Sequence, residues 1–281
     1  MVLLGVSIQI GSALAVLVIE SVGVAEALWL RTALAALILV AVRPRSLRLP
    51  GPGERLPLLA LSLALLSMNL SFYGAISRIP VGVAVAVEFV GPLAVAVLGT
   101  RRPIDWTWIA LAAVGVVVLG GPTSSVDGLG LALALCAGAS WGAYLLLAKR
   151  AVTTLAPFSV TTLMLAGSAV LLTPLLLAHG LQLSGHWEAV AIGVVVAVAS
   201  SAFPYILELV ALRRVPAATY GVLLSIEPAV AALAAFVLLG QQLTTLEAAA
   251  IAAVMVAAGG ASWTSGSAAA RPTRASRTRP R

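Results

Sequence analysis

Three glutamates, Glu88, Glu208 and Glu227, lie inside long apolar stretches of this chain, together with one guanidinium at comparable depth, Arg31. Glu88 sits about 11 Å along its stretch if that stretch is helical, too deep for a short carboxylate to reach water easily. A charged group at that depth costs about 2.5–3.5 kcal/mol in a membrane helix, so it normally faces a cavity or carries a proton. Pro92 follows four residues later and has no N–H, which leaves the Glu88 carbonyl without its helical partner. Carboxylate and free carbonyl together suit an ammonium group or a proton relay. The bland alternative is a protonated glutamate hydrogen-bonded to a neighbouring helix for packing.

Glu227 repeats the pattern, about 17 Å along its own stretch, with Pro228 next to it freeing the carbonyl of Leu224. Glu208 lies nearer a stretch end, four residues after Pro204, where it either reaches the interface, pairs with Arg213 or Arg214, or joins a site. Arg31 either neutralises a carboxylate of the protein or of a substrate, or extends its long stem to an interface. Gln9, Asn69, Tyr73, Trp141, Tyr144 and Tyr205 are the other polar or amphipathic groups inside the stretches. Asn69 and Tyr73 are four apart, Trp141 and Tyr144 three apart, so each pair shares a helix face. They line a cavity for a small polar molecule or belong to an interfacial aromatic belt.

Other chemistries lack their residues. There is no Gly-rich phosphate loop, and His179 and His186 stand in one loop without other metal ligands. No Ser-His-Asp or Asp-rich constellation marks an enzyme, and no cofactor or metal site is expected. The single cysteine, Cys136, permits no intramolecular disulfide and reads as a small packing residue.

The elements that position these groups are membrane spans. The chain of 281 residues is 61% hydrophobic and only 10% charged, which a soluble domain of this size cannot tolerate. Candidate spans lie near 2–19, 26–42, 56–77, 81–99, 104–121, 128–148, 158–178, 188–210, 216–239 and 246–263, each near the ~20 residues that cross a bilayer as helix. The expected fold is therefore an all-α polytopic membrane protein of ten transmembrane helices. The first stretch lacks a charged leader region and a clear cleavage site, so it reads as a retained helix, and the bare N-terminus suggests a start codon further upstream.

Charge orients the spans. Of seventeen Lys and Arg residues, fifteen lie in loops or termini that fall on one side of a ten-span topology, among them Arg43, Arg45, Arg48, Arg55, Lys149, Arg150, Arg213 and Arg214. The opposite loops hold Glu20, Glu26, Asp127 and Glu188, with Arg78 as the basic exception. The positive-inside rule places both termini in the cytoplasm. The net charge of +7 thus belongs to topology and not to nucleic acid.

AISRIP at 75–80 returns as ALRRVP at 211–216, and in each copy a second proline follows twelve residues later, Pro92 and Pro228. An odd number of crossings between the copies turns the second upside down, the arrangement many secondary transporters use around a central site. The expected units are a five-helix repeat at 1–121, a second at 128–264, and a disordered basic tail at 265–281. Glu227 aligns with Gly91 and not with Glu88, so the repeat predicts one pseudo-symmetric kink and not two identical carboxylate sites. Gly82, Ala84, Ala86, Gly91, Gly138 and Gly142 would let helices approach closely.

VEFVGPLAVA at 87–96, YILELVAL at 205–212 and LLSIEPAVAA at 223–232, with SIQ at 7–9, MN at 68–69, FY at 72–73 and RRP at 101–103, occur in an order that resembles the drug/metabolite transporter superfamily. Within it the chain resembles the inner-membrane threonine/homoserine exporters with paired EamA-type repeats, over about 5–264. The resemblance implies a proton-driven bacterial exporter of small hydrophilic amino acids, with Gln9, Arg31, Glu88, Glu208 and Glu227 as matched polar positions. Val16 and Gln241 depart from the pattern, where relatives carry a lysine and an acidic residue. The expected mechanism is alternating access, with Pro92, Pro228 and Pro204 as kinks. The expected partners are a small-molecule substrate, protons, the lipid bilayer of the inner membrane and a second copy of the chain, and no nucleic acid. A same-fold exporter of a purine, sugar or drug is the near alternative, and a membrane scaffold or enzyme the distant one.

Overall fold

Stretches this apolar satisfy their backbone groups internally, and in hydrocarbon that requirement leaves a helix as the simplest solution for an unpaired segment. The computed structural model describes residues 2–48, 50–100, 103–119, 126–179, 187–214 and 224–269, and among them it contains helices and no strand. In chain order the helices are α1 (Val2–Val22), α2 (Val24–Val42), α3 (Pro52–Ile76), α4 (Val81–Glu88), α5 (Val90–Thr100), α6 (Pro103–Leu119) and α7 (Gly128–Thr154). There follow α8 (Pro157–His179), α9 (Trp187–Ala197), a π turn (Val198–Ala202), α10 (Phe203–Arg214), α11 (Glu227–Leu239) and α12 (Thr245–Ala269). Seven segments are long and apolar enough to cross a membrane, with α9, the π turn and α10 forming one of them. Shorter apolar helices cover Val81–Val95, Pro103–Leu119 and Glu227–Leu239.

Helix ends follow local chemistry. Gly23 alone separates α1 from α2 at φ 91°, a left-handed conformation that favours glycine. Gly240 ends α11 at φ 64°, its N–H donating to the Phe236 carbonyl at 3.1 Å and the Gln241 N–H to the Ala235 carbonyl at 3.3 Å. Asp127 caps α7 by accepting from the Gly130 N–H at 2.8 Å. Thr244 and Glu247 form a reciprocal capping box before α12, with the Thr244 N–H donating to Glu247 Oε2 at 2.8 Å and the Glu247 N–H to Thr244 Oγ1 at 3.2 Å.

The helices pack in pairs that exchange consistently. α3 lies against α7 and α1 against α9 and the π turn; α1 lies against α11 and α7 against α4 and α5; α3 lies against α8 and α2 against α9. The pairs α2 with α8, α4 with α11 and α6 with α12 map onto themselves under the same exchange. Small residues set the closest approaches. A Cβ on Gly82 would stand 2.8 Å from the Ala232 Cβ, so α4 and α11 cross almost backbone to backbone.

Two local expectations change. Cys136 is exposed on α7 and not a packing residue, because its helix turns that side away from the core. The helix α12 continues to Ala269, so the first residues of the expected tail are helical; residues 270–281 lie outside the described residues. The entry into the stretch at 216–239 and the loop histidine His186 also lie outside them.

Candidate functional site

A polar cavity sits in the middle of the bundle. It comprises about 650 Å³ of space between atoms, including the part open to solvent. Helix α1 supplies Gln9 and Ser12, α2 supplies Arg31, α3 supplies Asn69 and Phe72, and α4 supplies Val85 and Glu88. The second half contributes Trp141 from α7, Ser200 from the π turn, Tyr205 and Glu208 from α10, and Glu227 from the start of α11. Gln9, Arg31, Asn69, Glu88, Glu208 and Glu227 are all less than one-tenth exposed.

Arg31 is the organising cation. Its Nη1 donates to the Tyr73 hydroxyl at 3.2 Å, and its Nη2 donates to Asn69 Oδ1 and to the Tyr205 hydroxyl, the latter at 3.3 Å. The guanidinium also lies 5.2 Å from the centre of the Tyr73 ring. Asn69 is itself fixed, its Nδ2 donating to the Leu65 carbonyl at 2.8 Å. The protein's partners of Arg31 are therefore neutral oxygens and a ring face. Among the described residues the ion pairs are Arg48 with Glu54 and Arg78 with Asp127, both at the periphery. The Nε of Arg31 is buried and has no hydrogen-bond partner, and the same holds for Oε1 of Gln9. A buried cation hydrogen-bonded to neutral acceptors, with a donor to spare, suits an anionic group of a ligand.

The carboxylates occupy irregular backbone. The helix of the fourth stretch breaks at Phe89, between α4 and α5, just before Pro92. The Glu88 carbonyl that Pro92 leaves unbonded points at α7, and a Cβ on Gly138 would stand 2.6 Å from it. A Cβ on Gly91 would stand 1.8 Å from the Gly138 carbonyl oxygen, so only glycine fits. Phe89, at the break, packs edge-on against Trp141 with ring centres 5.1 Å apart. Glu227 opens α11 with Pro228 as its second residue, after a turn at Ser225 and Ile226. Pro204 follows the π turn, whose Ser200 donates to the Val196 carbonyl at 2.8 Å. Each predicted proline thus accompanies a helix irregularity, and each irregularity places a cavity residue.

Glu208 does not reach out to an interface. It is buried and accepts a hydrogen bond from the Tyr144 hydroxyl at 3.0 Å, whereas Arg213 and Arg214 are exposed. Tyr73 and Tyr144 do not line the cavity; they hold Arg31 and Glu208, which do. Tyr144 and Tyr205 also pack ring to ring at 6.0 Å. None of the four aromatic groups named from the sequence lies at a surface belt, since all are buried. Ser12 and Ser200 escaped the sequence reading, although Ser12 lies three residues after Gln9 on the same face. Gln241 departs from the family pattern, yet it acts as an acceptor: the Val81 N–H at the start of α4 donates to its Oε1 at 3.0 Å. Val16 is buried in the apolar core. Among the described residues no three His, Cys, Asp or Glu side chains are grouped as metal ligands would be.

An all-helical bundle with several membrane-length apolar segments around a buried polar cavity defines a multi-pass membrane transporter, and the comparisons agree. Residues 128–263 match the EamA-like transporter family. The chain is 42% identical over 262 residues to the threonine/homoserine exporter RhtA of Salmonella typhimurium (strain LT2), covering 92% of this chain and 88% of that one. The same exporter of Escherichia coli (strain K12) is 41% identical with the same coverage. One solved crystal structure shares the fold at a TM-score of 0.64 and 17% identity, covering 92% of this chain and 94% of that one. The chain belongs to the EamA-like transporter family, and it is a transporter and not an enzyme.

Proposed function

We propose that this protein exports small amino acids of the threonine and homoserine type from the cytoplasm by proton antiport. The observation that carries the reading is the cavity itself: one guanidinium held by neutral oxygens faces the same space as three carboxylates. A zwitterion needs both signs. Its carboxylate belongs at Arg31, and its ammonium group at Glu88 or Glu227, which bind protons in exchange. The exporters of Salmonella and Escherichia that resemble this chain over nearly all of its length carry such substrates in their names.

The seven long segments and the three shorter apolar helices make ten crossings. Both termini and the arginine-rich loops face the cytoplasm of a bacterial inner membrane. Residues 1–121 and 128–264 form two inverted repeats, a reading supported by the exchange of helix contacts and by the shared proline spacing. Alternating access follows as a rocking of the broken helices about the cavity. On the outward side, Gln241 caps α4 and Arg78 lies 3.7 Å from Asp127, ties that must loosen when the cavity opens there.

The test is counterflow of labelled threonine in proteoliposomes, with and without an imposed pH gradient. Gradient-sensitive flux is expected. A folded, inserted protein that carries no threonine or homoserine would overturn the substrate, and flux indifferent to the gradient would overturn proton coupling.

A further inference from the structure

Two buried polar atoms on side chains that line the cavity lack partners, and they are of opposite kind. Arg31 Nε is a donor and Gln9 Oε1 an acceptor; both belong to lining side chains that are 3% and 2% exposed. A guanidinium has five N–H donors, and three go to Tyr73, Asn69 and Tyr205. Burying a polar atom unpaired is unfavourable, so a site built this way is completed by its ligand. That ligand must present an acceptor toward Arg31 and a donor toward Gln9.

The face of α1 that carries Gln9 also adjoins a carboxylate. Gly5, one turn before Gln9, lies beside Glu227, where an added Cβ would be 3.5 Å from Cγ of that glutamate. A substrate ammonium held by Glu227 therefore sits next to Gln9, and a short side chain on the same substrate comes within its reach. A glutamine oxygen reads such a side chain only if it carries a hydrogen to give. Threonine and homoserine share that feature, a hydroxyl on a short chain.

We propose that Gln9 determines specificity by accepting a hydrogen bond from the substrate's side-chain hydroxyl, while Arg31 Nε binds the substrate's carboxylate. This rests on the amino-acid reading above. It goes further in giving a hydroxyl-reading role to one residue. A site that pairs with a hydroxyl discriminates against the analogue lacking it, because the protein's own acceptor is left buried and unpaired.

The experiment is competition against labelled threonine in proteoliposomes, with 2-aminobutyrate and O-methylserine as probes. 2-Aminobutyrate is threonine or homoserine without the hydroxyl. O-Methylserine is an isomer of both, whose ether oxygen accepts but cannot donate. Native protein should prefer threonine over each probe by roughly tenfold to a hundredfold. In Gln9→Met that preference should fall to within about twofold of unity, with a native-like melting temperature of the purified variant as the sign of a folded protein. The native arm with O-methylserine needs no variant and stands if Gln9→Met fails to fold. O-Methylserine competing as well as threonine would overturn the assignment, as would an unchanged preference in a transport-competent Gln9→Met. Native protein that carries threonine without discrimination removes Gln9's role only, whereas native protein that carries none of these compounds removes the amino-acid reading with it.

Discussion

The tightest constraint on the site is a contact without side chains, and it sets a quantitative prediction. Adding one methyl at Gly91 places a carbon 1.8 Å from the Gly138 carbonyl oxygen and 2.4 Å from its carbon. Neither atom can rotate away, because both are helix backbone. Relief requires α5 to move away from α7 at the break that carries Glu88. Overpacking of this kind costs about 1–3 kcal/mol, and the backbone partner puts Gly91→Ala at the upper end. Alanine's better helix propensity returns about 1 kcal/mol at most. A net loss of about 2 kcal/mol lowers the melting temperature by about 4–8 °C. Thermal unfolding of purified protein in detergent, followed by fluorescence of its six tryptophans, measures this. Gly53→Ala is the control: nothing lies within 4 Å of its added Cβ, so its melting temperature should equal or exceed the native value. A melting temperature of Gly91→Ala within about 1 °C of native would refute the argument, since the helices could not then be so close.

Glu88→Gln should abolish gradient-driven transport in proteoliposomes while leaving the protein inserted and folded, and normal export by that variant would remove Glu88 from the mechanism. Tyr144→Phe takes one hydrogen bond from buried Glu208 and should cost about 1–3 kcal/mol. A double-mutant cycle with Glu208→Leu, which removes the acceptor, measures it, and strict additivity of the two changes would show that the pair does not interact. Gln241→Ala removes the acceptor for the Val81 N–H and should lower stability by about 0.5–2 kcal/mol, whereas Gln241→Glu keeps an acceptor and should melt like the native protein.

Much of the fold was readable because the membrane simplifies the code: ~20 apolar residues read as a span, whatever packs beside it. The individual polar groups were readable for the same reason, since each stands out against an apolar background. Their partners were not. Arg31 meets Tyr205 across 174 positions of sequence, and no spacing rule connects α2 to α10. The role of Tyr144 was equally hidden, because sharing a face with Trp141 says nothing of which carboxylate it meets. Proline marked the broken helices, but the π turn at Val198–Ala202 has no signal of its own beyond Pro204 downstream. Cys136 was misjudged because a small residue near glycines reads as packing, whereas the helix face on which it falls depends on tertiary contacts.

On the proposed reading of two inverted repeats around a zwitterionic substrate, the offset between the glutamates lets a nearly symmetric frame hold an asymmetric ligand. Measured from the second proline of each repeat, Glu227 takes the place of Gly91, and Leu224 takes the place of Glu88. One carboxylate is therefore displaced by three residues, about 4.5 Å of helix rise, relative to a two-fold image of the other. The displaced positions also meet different neighbours. Gly91 is closed off by the Gly138 backbone and offers no room for any side chain, while a Cβ added at Gly5 would meet Glu227 only at ordinary contact distance. Strict symmetry would have set equal carboxylates about the pseudo-axis with nothing to distinguish the two ends of a zwitterion. The offset, with Arg31 on α2 alone, gives the cavity a single direction. That direction predicts that substituting Leu224 by glutamate in a Glu88→Gln background does not restore transport. Recovery of gradient-driven flux in that double variant would show that position within the cavity matters less than the number of carboxylates.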